Sequence, residues 1–161
     1  MFGSAFKKRN VVSESDTRSS DLNLDAICRG ADFSIRFRTV DVTRRYYGGE
    51  TTDVGRYGEM PDFPGRVVIS REGGNTTVSF LRFDDLRRSG FIDGDKTISG
   101  SYTYTTQDNY ESATLEPYPR IGNVSLFSIT RQKGRLIACM IFNPEGDDGD
   151  YYYTLILTNP I

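Results

Sequence analysis

The chain has no histidine and no tryptophan, and only two cysteines, among its 161 residues. Losing histidine removes the commonest general base and the commonest metal ligand together. Nucleophilic catalysis by serine or cysteine normally takes its base from histidine. Lysine can substitute, but the lysines are Lys7, Lys8, Lys96 and Lys133, two in a polar N-terminal stretch and two in turn-like segments. A working base needs a fixed, partly desolvated position. Two cysteines without histidine cannot complete a tetrahedral zinc site within one chain, and they are too few to define a redox compartment. Cys28 and Cys139 therefore read as small buried thiols, able to pair only if the fold brings their Cα atoms within about 7 Å. No run of about 20 apolar residues is present to form a transmembrane helix, and no secretory apolar segment follows Met1. A cytosolic or virion-associated setting is expected.

A strong charge of either sign is also missing. Twenty basic and 22 acidic residues leave a formal net charge of −2. Dedicated nucleic-acid binders usually carry a marked basic excess. The acidic run Glu145-Gly146-Asp147-Asp148-Gly149-Asp150 lacks the spacing and the distal glutamate of a 12-residue calcium loop. Asp-Gly is a favoured hairpin pair, so a plain turn is expected there. Asp84-Asp85 and Asp93/Asp95 are neighbouring carboxylates, but acids in turns stay solvated, whereas glycosidase-type chemistry needs one with a raised pKa on a rigid scaffold. Neither a cofactor nor a metal is expected, and the chain reads as non-enzymatic.

What the chain does contain is ten Tyr, ten Phe and several alternating segments. Phe33, Ile35 and Phe37 alternate with Ser34, Arg36 and Arg38, the signature of a strand with one buried face. Residues 66–71 and 76–83 flank Glu72-Gly73-Gly74-Asn75, a hairpin signal. Residues 124–131 and 135–142 flank Gln132-Lys133-Gly134, a second one. The segment from Leu136 to Phe142 is apolar at every position, which predicts a central strand buried on both faces. Residues 97–105 alternate as one strand and residues 151–158 form the last. Residues 84–88 read as one helical turn. Residues 46–64 read as a Gly-rich loop with a short strand at 51–54, and residues 107–120 as loop. The predicted core comprises Phe33, Ile35, Phe37, Leu136, Ile137, Met140 and Phe142. The fold class is all-β, an antiparallel β-sandwich or β-barrel of about seven to eight strands. Residues 1–25 are polar and aperiodic and read as a flexible arm, ahead of a single β domain over 26–161.

Two groups of residues are candidates for binding. Arg44-Arg45-Tyr46-Tyr47 sits where a strand meets the Gly-rich segment, a place where side chains are presented. Tyr and Arg are enriched at interface hot spots. Tyr151-Tyr152-Tyr153 must also place some ring outward, because neighbours in a strand face opposite ways. Near the N-terminus, Phe2 and Phe6 adjoin Lys7, Lys8 and Arg9. Such a cluster suits weak contact with an anionic membrane surface, about 1 kcal/mol per basic residue, with nucleic-acid phosphates, or with a neighbouring subunit. The expected function is a structural or assembly module that binds a protein partner or itself. Viral and phage particle proteins often share this layout, an analogy of layout only. The alternative is a β-barrel holding a small apolar ligand, with residues 46–64 as a lid.

Overall fold

The computed structural model describes residues 18–46, 48–58, 60, 62–88, 94–115, 124–143 and 151–161. Among the described residues ten strands form one antiparallel sheet: β1 (Phe33–Tyr46), β2 (Thr51–Tyr57), β3 (Arg66–Glu72), β4 (Asn75–Leu81), β5 (Lys96–Ser99), β6 (Tyr102–Gln107), β7 (Tyr110–Leu115), β8 (Val124–Gln132), β9 (Arg135–Phe142) and β10 (Tyr151–Pro160). Their order across the sheet is β5, β4, β3, β1, β10, β9, β8, β7, β6, with β2 added beside β1. The sheet curls into a half-barrel, so the barrel-like alternative describes the chain and a two-sheet sandwich does not. No helix among the described residues is long and apolar enough to cross a membrane.

Strand β1 shapes the sheet. Along one edge it pairs with β10 from Phe37↔Pro160 to Tyr46↔Tyr151. Its other edge is divided: residues 33–37 pair with β3, and residues 40–45 pair with β2. The buried face shifts at the division. Phe33, Ile35 and Phe37 are buried, then Thr39 and Val40 together, then Val42. Strict alternation forbids two adjacent inward residues. The shift lies beside Asn159 of β10, whose φ of +56° leaves the extended region. The Asn159 side-chain amide donates to Thr39 Oγ1 at 2.7 Å, which satisfies the buried hydroxyl.

A short N-terminal segment bridges the open side of the half-barrel. Helix α1 (Leu24–Cys28) starts at Asn23, whose Oδ1 accepts from Ala26 N at 3.0 Å. It buries Leu24 and Ile27 and packs against β6 and β7. From the other side, Arg71 of β3 donates from Nη1 to the Ile27 carbonyl at 3.2 Å and lies over the Tyr102 ring at 5.1 Å. The Tyr102 hydroxyl meets Thr76 Oγ1 of β4 at 2.7 Å. Gly100, at φ +150°, makes the corner between β5 and β6, where an added Cβ would crowd Leu115.

Several expectations shift. The folded part begins before Ala26, since Leu22 and Leu24 are both in the core. The arm reading thus applies at most to residues 1–17, which lie outside the described residues. Residues 107–115 are not loop: Asp108-Asn109, with Asn109 at φ +56°, turns β6 back into β7. Residues 97–105 are two strands broken at Gly100, and β2 runs on to Tyr57. Both expected hairpins form, with positive φ at Gly73 and Gly74 and at Lys133 and Gly134. Helix α2 (Asp84–Arg88) spans the residues expected to form one helical turn. Six of the seven expected core residues are buried; Ile137 is the exception and faces outward, half-buried. Cys28 and Cys139 are half-buried and unbonded.

Removing residues 1–24 should lower the melting temperature by more than about 10 °C, because losing a buried leucine costs about 2–5 kcal/mol. A drop under about 3 °C would contradict the placement of Leu22 and Leu24. The Tyr102 hydroxyl pKa is pushed up to about 12, chiefly by burial, against opposing effects of the Thr76 hydrogen bond and the Arg71 charge. The folded chain therefore keeps a proton that the unfolded chain releases above about pH 10. This stabilisation is intact below pH 10 and is lost as pH rises towards 12. Tyr102→Phe should lose less stability across that window, by on the order of 2 kcal/mol; parallel alkaline denaturation curves for variant and wild type would refute this.

Candidate interaction site

The ends of β1 and β10 form a ribbon carrying the predicted residues Arg44, Arg45 and Tyr46. The register pairs Tyr46 with Tyr151, Arg45 with Tyr152 and Arg44 with Tyr153. Four consecutive residues cannot form one patch on a strand, because successive side chains point to opposite faces. The ribbon is therefore two surfaces. Arg44 and Tyr46 continue the face of Val40 and Val42, while Arg45 lies on the other face with Asp41.

On the concave face the aromatic rings form a column. Phe142 stacks on Tyr153 with centroids 5.9 Å apart, and Tyr151 meets Tyr46 at 5.2 Å. The Arg44 guanidinium lies 4.8 Å over the Tyr151 ring, and Lys96 Nζ lies 5.6 Å from the Phe142 ring centre. On the convex face Arg45 donates from Nε to Thr51 Oγ1 at 3.2 Å and from Nη1 to the Tyr152 hydroxyl at 3.5 Å. Farther along that face, Arg56 of β2 forms a two-point pair with Asp41, Nε to Oδ1 at 2.5 Å and Nη2 to Oδ2 at 2.9 Å. Each exposed cation–ring contact is worth about 0.5–1 kcal/mol. Their larger effect is to hold Arg and Tyr side chains in place, which lowers the entropy cost of a further contact.

Two other surface features were not apparent from sequence. The convex face of the central strands carries Leu126, Ile137, Cys139, Ile141 and Ile156, all half-buried, with Ile141 opposite Leu126 and Cys139 opposite Ile156. Beyond β2, a groove of about 550 Å³ is floored by Tyr57, Phe63 and Phe83 and edged by Arg82. Met60 stands 62% exposed at its rim. Residues 46–64 thus supply a strand and one wall of this groove. Their content of Gly and polar residues concealed how far the expected strand at 51–54 runs, since both of its faces are exposed over Thr51–Val54.

Burial raises the thiol pKa of Cys139, and burial followed by Asp25 raises that of Cys28, so neither is an activated nucleophile. Among the described residues no three Cys, Asp or Glu side chains converge as metal ligands would. Tyr47, Phe2, Phe6, Lys7, Lys8, Arg9, Asp93 and residues 145–150 lie outside the described residues. Tyr151 and Tyr152 join the predicted arginines through cross-strand register. Thr51 of β2 and Phe142 of β9 border the ribbon through their pairing with Arg45 and Tyr153, and Lys96 of β5 reaches the Phe142 ring from an edge of the sheet, so none of the three is evident from local sequence. No protein-family model matches the chain, and no curated protein matches it significantly.

Proposed function

We propose that this chain is a non-enzymatic assembly module that holds a protein partner, or a further copy of itself, through the ribbon of Arg44, Arg45, Tyr46, Tyr151 and Tyr152. The observation that carries this reading is the set of arginines already held against tyrosine rings on both faces of one projecting ribbon. Arg and Tyr ordered in this way are the residue types that dominate interface energetics. A ligand inside the half-barrel is less favoured, because Phe37, Phe80, Phe127 and Phe142 occupy the core with full burial. The segment with Phe2, Phe6, Lys7, Lys8 and Arg9 adds a second, weaker contact to a membrane surface or to phosphates. A viral or phage particle is the setting that this layout suggests, by analogy.

The two faces are tested separately. Arg45→Ala/Tyr152→Ala removes the convex pair and Arg44→Ala/Tyr151→Ala the concave one. At least one of these variants should weaken association about 30-fold, the equivalent of roughly 2 kcal/mol, in light scattering or partner pull-down. Unchanged association by both, with unchanged melting points, would contradict the reading.

A further inference from the structure

Strand β2 has an edge that no described strand covers. Among the described strands only β1 pairs with it. Thr51, Thr52, Asp53, Val54 and Arg56 are all exposed. An edge strand offers a row of backbone donors and acceptors that can pair with another chain. We propose that this edge is a self-recognition seam, in which β2 pairs antiparallel with β2 of a second copy and Asp53 faces Arg56 of the partner subunit. This rests on the assembly reading above and names its partner as a second copy of this chain.

The bulge in β2 makes the match. Residues three apart on a regular strand face opposite ways. Here the register steps from Val42↔Gly55 to Thr43↔Asp53, leaving Val54 as the extra residue. Asp53 and Arg56 therefore lie on the same convex face, Asp53 opposite Thr43 and Arg56 opposite Asp41. A two-fold axis between Val54 and Gly55 sets Asp53 against Arg56 of the partner subunit, and the reverse pair follows by symmetry. The same axis sets Thr52 against Tyr57 of the partner subunit. Moving the axis onto Val54 sets Asp53 against glycine, and moving it onto Gly55 sets Asp53 against tyrosine. The charges thus select one register, which is how an edge strand can accept one partner and refuse others. Arg56 is already oriented by Asp41. Asp53 has no ion pair among the described residues, so the seam supplies its cation.

The groove gains an occupant from the same operation. In that register Thr52 of the partner subunit lies against Tyr57, which places the turn before the partner's β2 at the Tyr57 end of the groove. The turn between β1 and β2, closed by Gly49 N donating to the Tyr46 carbonyl at 2.8 Å, would then cover the exposed methionine and the groove beside Tyr57 and Phe63. Two features that no described residue covers, an open strand edge and an apolar-floored groove, are covered by one symmetric contact. A seam of this length is at the small end of specific interfaces, so dimerisation should depend on concentration.

The test uses the full chain and light scattering. Wild type should pass from monomer to dimer as concentration rises. Asp53→Arg and Arg56→Asp should each remain monomeric, since each sets like charges against one another. Mixed in equal amounts they should form a heterodimer, because both contacts then pair opposite charges. Since Arg56→Asp also opposes Asp41, a second measurement avoids charge: V54C in a C28S/C139S background should be linked into dimers by a short bismaleimide. Single variants that dimerise like wild type, a mixture that stays monomeric, or no cross-linking would each overturn the seam. A monomeric wild type whose partner capture still requires Arg45 and Tyr152 would overturn the seam and leave the ribbon reading standing. A dimer abolished by Asp53→Arg but untouched by both Arg45→Ala/Tyr152→Ala and Arg44→Ala/Tyr151→Ala would do the reverse.

Discussion

The hydrogen bonding of β1 is the constraint on which the rest of the molecule depends. Fourteen residues long, it pairs with β10 along one edge and divides the other between β3 and β2. Strands β3 to β5 hang from its first half, and the sheet from β10 to β6 hangs from its opposite edge. Because the buried face shifts by one residue at Thr39 and Val40, both halves of the strand reach a single core that regular alternation would deny to one of them. Arg71, Tyr102 and Thr76 then draw the far ends of the sheet together over α1.

The same division creates the surfaces that matter for binding. Where β3 leaves the edge of β1, β2 takes its place but has no neighbour on its own far side among the described strands. The ends of β1 and β10 carry side chains past the core, with rings and guanidinium groups held on both faces. Edge strands are normally blunted by charge and by bulges. The bulge at Val54 and the charges of Asp53 and Arg56 suit that role, and in one register they also make the strand complementary to itself.

Much of the architecture was legible in the sequence, for local reasons. Gly73-Gly74 and Lys133-Gly134 allow the positive φ that hairpins require, and Phe33, Ile35 and Phe37 show the phase of β1. The β6–β7 hairpin was obscured because Tyr110–Leu115 is mostly polar and small, with Ser112 buried beside Ala113 and Leu115. The run from Leu136 to Phe142 was apolar at every position and so carried no phase. Ile137, Cys139 and Ile141 proved to face outward, half-buried. Arg44, Arg45 and Tyr46 were legible as candidates, but their division between two faces, and their partners Tyr151 and Tyr152, depend on a cross-strand register set by contacts distant in sequence.

Native-state hydrogen exchange across β1 tests the central claim most directly. If this strand unites the molecule, the amides of Ile35, Phe37, Val40 and Val42 should exchange only through global unfolding, with one free energy and one denaturant dependence. If residues 33–37 exchange together with β3 and β4 at a lower free energy than residues 40–42, the two halves open independently and the account is wrong.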